Sequence, residues 1–195
     1  PSINFVRGPV DKVAEMLYSV LTGLSDNGAG NPFFVQSERS HLKQHIYLLK
    51  LHDSKFEARF EHLIDMYNDA NLVFEMHLKL KGRLPNDIES IPDRDERNHF
   101  RIMKQVDEWF DLNYVPEISG GRGGGEVVYH TEGKYYGQPK IIDKQETFVR
   151  GLRNTLNDIS AQPLLRRVLC GPSDFDFEKH LEFGGILLVN TAKGE

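Results

Sequence analysis

The sequence predicts a mainly α protein: a compact helical bundle with one β-hairpin insertion and a short C-terminal strand. Three observations lead to this prediction. Apolar residues recur at helical spacing over most of the chain. A glycine-rich tract at 120–125 precedes a short run of β-branched and aromatic residues. The run 186–189, Ile-Leu-Leu-Val, is unbroken and apolar, as in a strand that is buried on both faces.

The N-terminal half is predicted to be helical almost throughout. Pro9 and Asp11 favour a helix start, and the breaker-rich segment 26–32 separates the first helix from the second. Gly82 and Pro85 close the last helix before a turn. The predicted helices cover residues 9–24, 33–51, 54–68, 70–81 and 93–112.

The C-terminal half contains the insertion. Residues 127–129, a turn at 131–134 and Tyr135-Tyr136 follow the glycines, which predicts a flexible tract and β-hairpin spanning 120–137. Further helices are predicted at 143–161, 164–170 and 176–181. A buried final strand needs neighbours that the sequence does not offer. We therefore expect residues 1–195 to form a single all-α domain fragment, in which 184–195 begins the return into a missing α/β domain.

Composition and charge set the class of protein. The 195 residues suffice for one domain with its own core, and 39% hydrophobic with 27% charged residues is typical of a globular protein. A net charge of −5 excludes a global attraction to nucleic acid or to anionic membranes, although a local basic face stays compatible with it. The single cysteine, Cys170, excludes an internal disulfide and fits a cytoplasmic location.

The sequence offers no catalytic constellation. The glycine tract lacks the Lys-Ser/Thr pair that completes a phosphate loop, so we interpret it as a linker. His41 and His45 are four residues apart, but no general base lies between them and Lys43 opposes a cation. We interpret this pair as part of a solvated helical face and Cys170 as a buried structural residue. The chain is thus predicted to be no enzyme and to hold no metal or cofactor.

Cations and aromatic residues are the candidate binding groups. Aromatic rings can anchor a protein contact or stack on bases, and cations can meet phosphates. For the hairpin, protein contact, nucleic-acid contact and no specific role stay open. The candidate partner-binding residues are Arg122, Tyr129, Lys134, Tyr135 and Tyr136. The candidate nucleic-acid contacts, for which a solvated face is the alternative, are Lys79, Lys81, Arg83, Lys140 and Lys144.

Seven segments of the chain, taken in order, carry a resemblance to a known family. The segments are 3–15, 31–43, 46–50, 151–153, 156–158, 163–169 and 181–194. Together they resemble the all-alpha domain of type IV coupling proteins, the motor-like ATPases of conjugation and type IV secretion. The resemblance is weakest at 115–140, where the tract and hairpin look like an insertion.

The resemblance implies a cytoplasmic domain inserted in a RecA-like nucleotide-binding domain of a membrane-anchored hexamer. ATP and Mg²⁺ are then expected only in that missing domain, into which 184–195 returns. The implied partner is a relaxase, a relaxosome accessory protein or a secreted substrate protein, and DNA is a further implied partner. The isolated domain is expected to be monomeric.

Three other functions stay open beside this one. The main alternative is a DNA-binding module of the same or another RecA-like motor, which acts through a local basic surface. The others are a regulatory domain of a different motor, and a metal-dependent enzyme that rests on His41 and His45 alone.

Overall fold

The structure is a computed structural model that describes residues 4–24, 32–120, 124–170 and 182–184. These residues form seven helices and one two-stranded antiparallel sheet, which confirms the mainly α prediction. Within them, every helix is too short or too polar to traverse a lipid bilayer. The helices are α1 (Val10–Leu24), α2 (Pro32–Leu51), α3 (Phe60–Asn68), α4 (Ala70–Lys81), α5 (Arg94–Asn113), α6 (Arg150–Ala161) and α7 (Pro163–Leu169). The strands are β1 (Tyr114–Pro116) and β2 (Ile141–Asp143).

Aspartate side chains fix the starts of α4 and α5 at the predicted breaks. Asp69 has an extended backbone, and its side chain accepts a hydrogen bond from the Leu72 amide at 2.9 Å. Asp93 accepts from the Glu96 amide at 2.7 Å in the same way. Each such cap contributes about 1 kcal/mol, since it satisfies an amide that has no partner inside the helix.

Helix α3 begins at Phe60, six residues later than the predicted start at 54. Arg59 is extended, and its amide donates to Nδ1 of His62 at 3.2 Å, the backward half of a capping box. Phe56, which the helical spacing predicts to face the core, therefore lies in the preceding loop. Its ring packs against His52 and is partly exposed.

Helix α6 begins at Arg150 rather than at 143, because a turn occupies the residues before it. Oδ1 of Asp143 accepts from the Gln145 amide at 2.8 Å, and a backbone hydrogen bond joins Phe148 to Gln145 at 2.8 Å. A short acidic side chain that binds a nearby amide competes in this way with helix formation.

Helix α2 lies at the centre of the bundle and packs against α1, α3, α4 and α5. Its predicted inward residues Leu42, Ile46 and Leu49 are fully buried. The other helices contribute the fully buried Leu63, Leu80, Met103, Phe110 and Leu156. Burial of each such side chain contributes about 1.5–3 kcal/mol, so this core fixes the relative positions of the helices.

The insertion between α5 and α6 forms a small antiparallel structure that we call the β ribbon. The β ribbon comprises residues 114–119, 126–130 and 137–143. In β1 and β2, Tyr114 lies opposite Asp143. The segment 126–130 bonds to both neighbours, because Val128 donates its amide to Glu117 at 2.9 Å and accepts from Lys140 at 2.8 Å. The ribbon is thus more extensive than a single hairpin.

The predicted pairing of 127–129 with 135–136 is wrong. Tyr129 lies opposite Pro139, and His130 bonds to Gly137 and Gln138. Residues 131–136 form the turn, since the Tyr135 side chain points into the helical body instead of extending the strand. The amide of Ser119 bonds to the Glu126 carbonyl at 2.9 Å at the base of the glycine tract. Arg122, the predicted helix 176–181 and the predicted strand 186–189 lie outside the described residues.

Candidate functional site

The predicted partner-binding residues of the β ribbon divide into exposed and anchored side chains. Tyr136 is 73% exposed and Tyr129 is 54% exposed. The Lys134 side chain is 65% exposed and its ammonium lies 4.5 Å from the centre of the Tyr135 ring. Tyr135 itself is only 8% exposed, so its predicted role as an exposed anchor is wrong.

Tyr135 instead attaches the ribbon to the helical body. Its hydroxyl donates to Oδ2 of Asp69 at 2.7 Å and accepts from the Lys134 ammonium at 2.8 Å. Burial is the main cause that raises the pKa of Tyr135. Because the same Asp69 caps α4, the turn of the ribbon and the start of this helix share one carboxylate.

Asn71 provides the second attachment, from the first turn of α4. Its Nδ2 donates to the Pro139 carbonyl at 2.8 Å, and its Oδ1 accepts from the Ile141 amide at 3.1 Å. These two bonds fix the orientation of the amide, so Nε2 of His130, 3.0 Å from Oδ1, is the donor. Asn71 therefore binds the ribbon as a neighbouring strand does. The exposed Tyr129 and Tyr136 thus lie on a ribbon that is attached to the helical body at Asp69 and at Asn71.

The five cations predicted to contact nucleic acid are mostly engaged within the protein. Lys81 lies 2.5 Å from Asp111, and Lys140 lies 2.6 Å from Glu117. Arg83 donates to the Leu51 carbonyl. Lys79 and Lys144 are exposed, and the described residues include no ion partner for either.

These cations also do not form one stripe along α4. Lys140 is flanked by residues that bond to Asn71 in the first turn of this helix, whereas Lys79 and Lys81 lie in its last turn. Ten helical residues, or about 15 Å, separate Asn71 from Lys81 along the axis.

His41 and His45 contradict the prediction of a solvated face. They are 1% and 0% exposed, and their rings stack 4.1 Å apart. Together with Tyr67, Tyr114 and Asp143 they form a group that we call the His41 network. The spacing of four residues placed both rings on the same side of α2 as Leu42, Ile46 and Leu49. This apolar face of α2 indicated that both histidines are buried. The prediction of a solvated face followed instead from the polarity of histidine.

Every ring nitrogen of the His41 network has a partner. Nδ1 of His45 donates to the His41 carbonyl at 2.8 Å, so Nε2 accepts from the Tyr114 hydroxyl at 2.7 Å. Nε2 of His41 donates to Asp143 at 2.9 Å, and Nδ1 lies 3.0 Å from the Tyr67 hydroxyl. Among the described residues, His41, His45 and Asp143 do not bring three ligand atoms within 4.8 Å of one another, unlike the second histidine group described below.

Burial controls the ionisation of the His41 network. It lowers the pKa of His45 well below its ordinary value, with the His41 ring as the second cause. It also raises the pKa of Tyr67 and of Tyr114, with the Asp143 carboxylate as the second cause. His45 is therefore neutral and both phenols are protonated at neutral pH. The network joins α2, α3, β1 and β2, and its two histidines and two tyrosines are buried.

A second polar group lies between α4 and α5, and we call it the His77 cluster: His77, Lys81, Asp107 and Asp111. Nε2 of His77 lies 2.7 Å from Oδ1 of Asp107 and 3.8 Å from Oδ1 of Asp111. His77 is buried, whereas the Asp111 side chain is 47% exposed. Sequence reasoning missed this cluster because its two halves are 30 residues apart and no local motif joins them.

Cys170 follows α7 and is half-buried, packed against the hydrophobic core. Burial is the main cause that raises the pKa of its thiol. A thiol with a raised pKa is a poor nucleophile, but Cys170 is half-buried and not fully buried as predicted.

Comparison of the chain with models of known protein families, with curated proteins and with solved structures yields no match.

Proposed function

We propose that this chain is the substrate-docking domain of a type IV coupling protein, and that its docking surface is the exposed side of the β ribbon. The observation that carries the proposal is the exposure of Tyr129, Lys134 and Tyr136 on a segment held by Asp69 and Asn71. The partner is a relaxase, a relaxosome accessory protein or a secreted substrate protein.

The attachment of the ribbon supports this function in energetic terms. Association costs entropy whenever a loop or a long side chain must be ordered. A tyrosine has two side-chain torsions and a large apolar ring, so it contributes contact area at low entropic cost. Tyr129 and Tyr136 stand on a backbone that Tyr135 and Asn71 already fix. Binding therefore need not order this backbone again.

The coupling-protein part of the proposal is supported by the ordered resemblance of segments between residues 3 and 194. A mainly α fold is what that resemblance implies. On this proposal the domain lies at the cytoplasmic face of the membrane, and ATP is bound and hydrolysed in the missing nucleotide-binding domain. The isolated chain is a monomer that binds its partner but does not hydrolyse ATP.

DNA binding is the weaker second function. Lys79 and Lys144 favour it, because both are exposed cations without an ion partner among the described residues. The ion pairs of Lys81 and Lys140 oppose it, since neighbouring carboxylates reduce the positive potential that phosphates require.

The test is binding of the purified chain to the relaxase of the same conjugation system, measured by biolayer interferometry. The double variant Tyr129→Ala/Tyr136→Ala is expected to bind at least about ten-fold more weakly, since aromatic anchors dominate such interfaces. The matched control is Leu112→Ala, which removes an equally exposed apolar side chain from α5 and should bind as the wild type does.

Unchanged binding by the double tyrosine variant would refute the ribbon as the docking surface. A Lys79→Ala/Lys144→Ala variant separates the DNA alternative. If DNA is the partner, this variant loses affinity for single-stranded DNA, and the affinity of the wild type falls steeply as salt rises.

A further inference from the structure

The His77 cluster has the composition and spacing of a metal site. We propose that His77, Asp107 and Asp111 bind one divalent transition metal ion, with Zn²⁺ the best match, in exchange for the Lys81 ammonium. One imidazole and two carboxylates are ligands that Zn²⁺ accepts, and a solvent-facing side leaves its fourth position to water. The proposal is independent of docking at the β ribbon.

The ligand atoms are already close to coordination distances. One atom from each of the three residues lies within 4.8 Å of the other two. Ligands about 2.1 Å from a tetrahedral ion lie about 3.4 Å from one another. The distances of 2.7 Å and 3.8 Å from His77 Nε2 to the two carboxylates lie on either side of that value.

The helices hold these ligands without help from loops. Asp107 and Asp111 are one turn apart on α5, so both project from the same side of the helix. The His77 ring is on α4, with the Phe110 ring 5.8 Å away and the Phe74 ring 6.3 Å away. We expect changes of side-chain torsions to bring the three ligand atoms to coordination distance, because their present separations are close to those of a tetrahedral site.

Lys81 marks the position of a cation. Its ammonium lies 2.5 Å from Oδ2 of Asp111 and 3.9 Å from Oδ1 of Asp107. The charges of the two carboxylates and the ammonium sum to −1, whereas two carboxylates and a divalent ion sum to zero. The Lys81 side chain is 46% exposed on a flexible stem, so it can move into water when the ion binds.

The second nitrogen of His77 supplies an independent observation. Nδ1 is buried and has no hydrogen-bond partner among the described atoms. In His45 and His52 the equivalent nitrogen bonds to the carbonyl four residues earlier. Nδ1 of His77 can therefore take up the ring proton when Nε2 binds the ion, because no hydrogen bond at Nδ1 has to break first.

Metal binding moves the ring proton of His77 from one nitrogen to the other. In the free chain Nε2 of His77 carries a proton, which it donates to the Asp107 carboxylate. The ion takes the lone pair of Nε2, and the proton appears on Nδ1. Since that N–H lacks an acceptor, the affinity is expected to be about 10- to 100-fold below that of a site with a bonded histidine.

The experiment is titration of the tag-free chain with Zn²⁺ by calorimetry and with Co²⁺ by visible absorption. One ion per chain is expected, with the intense absorption bands of tetrahedral Co²⁺. Asp111→Asn should abolish binding without unfolding the chain, because this side chain is half-exposed. Glu108→Gln, an exposed carboxylate on the same helix, is the matched control and should bind like the wild type.

A Lys81→Met variant tests whether the ion takes the place of the ammonium. It removes the competing ammonium, so Zn²⁺ is expected to bind at least about ten-fold more tightly if the ion takes that place. Absence of stoichiometric binding in both the wild type and Lys81→Met would overturn the proposal. Binding that survives Asp111→Asn unchanged would overturn it equally, since the ion would then lie elsewhere.

Discussion

The molecule contains two histidine–carboxylate pairs of nearly equal length and burial, and they differ in how the polar atoms around them are bonded. His41 lies 2.9 Å from Asp143, and His77 lies 2.7 Å from Asp107. In the His41 network every ring nitrogen is bonded, and two neutral tyrosines complete the group. In the His77 cluster one nitrogen has no described partner, and a half-exposed ion pair leads to solvent.

The difference shows what separates structure from exchangeable chemistry in a helical bundle. A buried group whose donors and acceptors are all satisfied stabilises one conformation and resists any substitution. A group that contains a buried atom without a hydrogen bond and a half-exposed ammonium can exchange that ammonium for another cation with a small change in free energy. The same two residue types therefore serve different purposes, and the surrounding hydrogen bonds decide which.

The largest expected effect comes from breaking the satisfied network. His41→Ala should lower the free energy of unfolding by about 3–5 kcal/mol, because it leaves Asp143 and Tyr67 without their buried partner. Urea denaturation followed by circular dichroism measures the loss. Ser40→Ala, an exposed neighbour on α2, is the control and should change little. A loss below about 1 kcal/mol for His41→Ala would contradict the structural role.

A smaller effect is expected from acid. Burial lowers the pKa of His45, whereas the unfolded side chain titrates near about 6.5. Below that pH the unfolded state binds a proton that the folded state refuses, so stability is full above it and falls with acidification. His45 contributes a slope of about 1.4 kcal/mol per pH unit until its folded pKa is reached. His52 and His62 add to this slope, because burial lowers their pKa as well. Urea denaturation between pH 5 and 8 measures it.

The control for acid sensitivity is His99→Gln, which removes an exposed histidine and should leave the slope unchanged. His45→Gln should show a shallower slope than the wild type, and an unchanged slope would show that His45 does not remain neutral inside the fold.

The smallest effect is expected at the open cluster. Without metal, Asp111→Asn should change the free energy of unfolding by less than about 1 kcal/mol, because exposed ion pairs contribute little. Thermal denaturation in the presence of a chelator tests this. A loss as large as that of His41→Ala would mean that the His77 cluster is as structural as the His41 network, and the contrast between them would disappear.

Local signals in the sequence were sufficient for much of the fold. Asp93 and the apolar spacing behind it predict α5 to within one residue at each end. The late start of α6 was missed, because Asp143 has two partners. It accepts hydrogen bonds from the Gln145 amide and from His41, which is 102 residues away in the sequence. A local sequence pattern cannot reveal the bond to His41.

The candidate site was less predictable for the same reason. Tyr135 and Tyr136 are adjacent and chemically identical, yet one is buried and the other is exposed. The distinction depends on Asp69, 66 residues earlier in the chain. The burial of His41 and His45 likewise depends on tyrosines from α3 and β1. Where polar partners are distant in sequence, residue type alone does not separate an anchor from a contact surface.

The 102-residue span between His41 and Asp143 has a consequence for synthesis of the chain. During translation, α1 to α5 emerge before the carboxylate that completes the His41 network. Until residue 143 leaves the ribosome, the buried Nε2–H of His41 lacks its carboxylate acceptor, and α3 lacks the helix α6 that packs against it. The His41 network is thus expected to form late, and a fragment that ends before 143 should be less stable than the full chain.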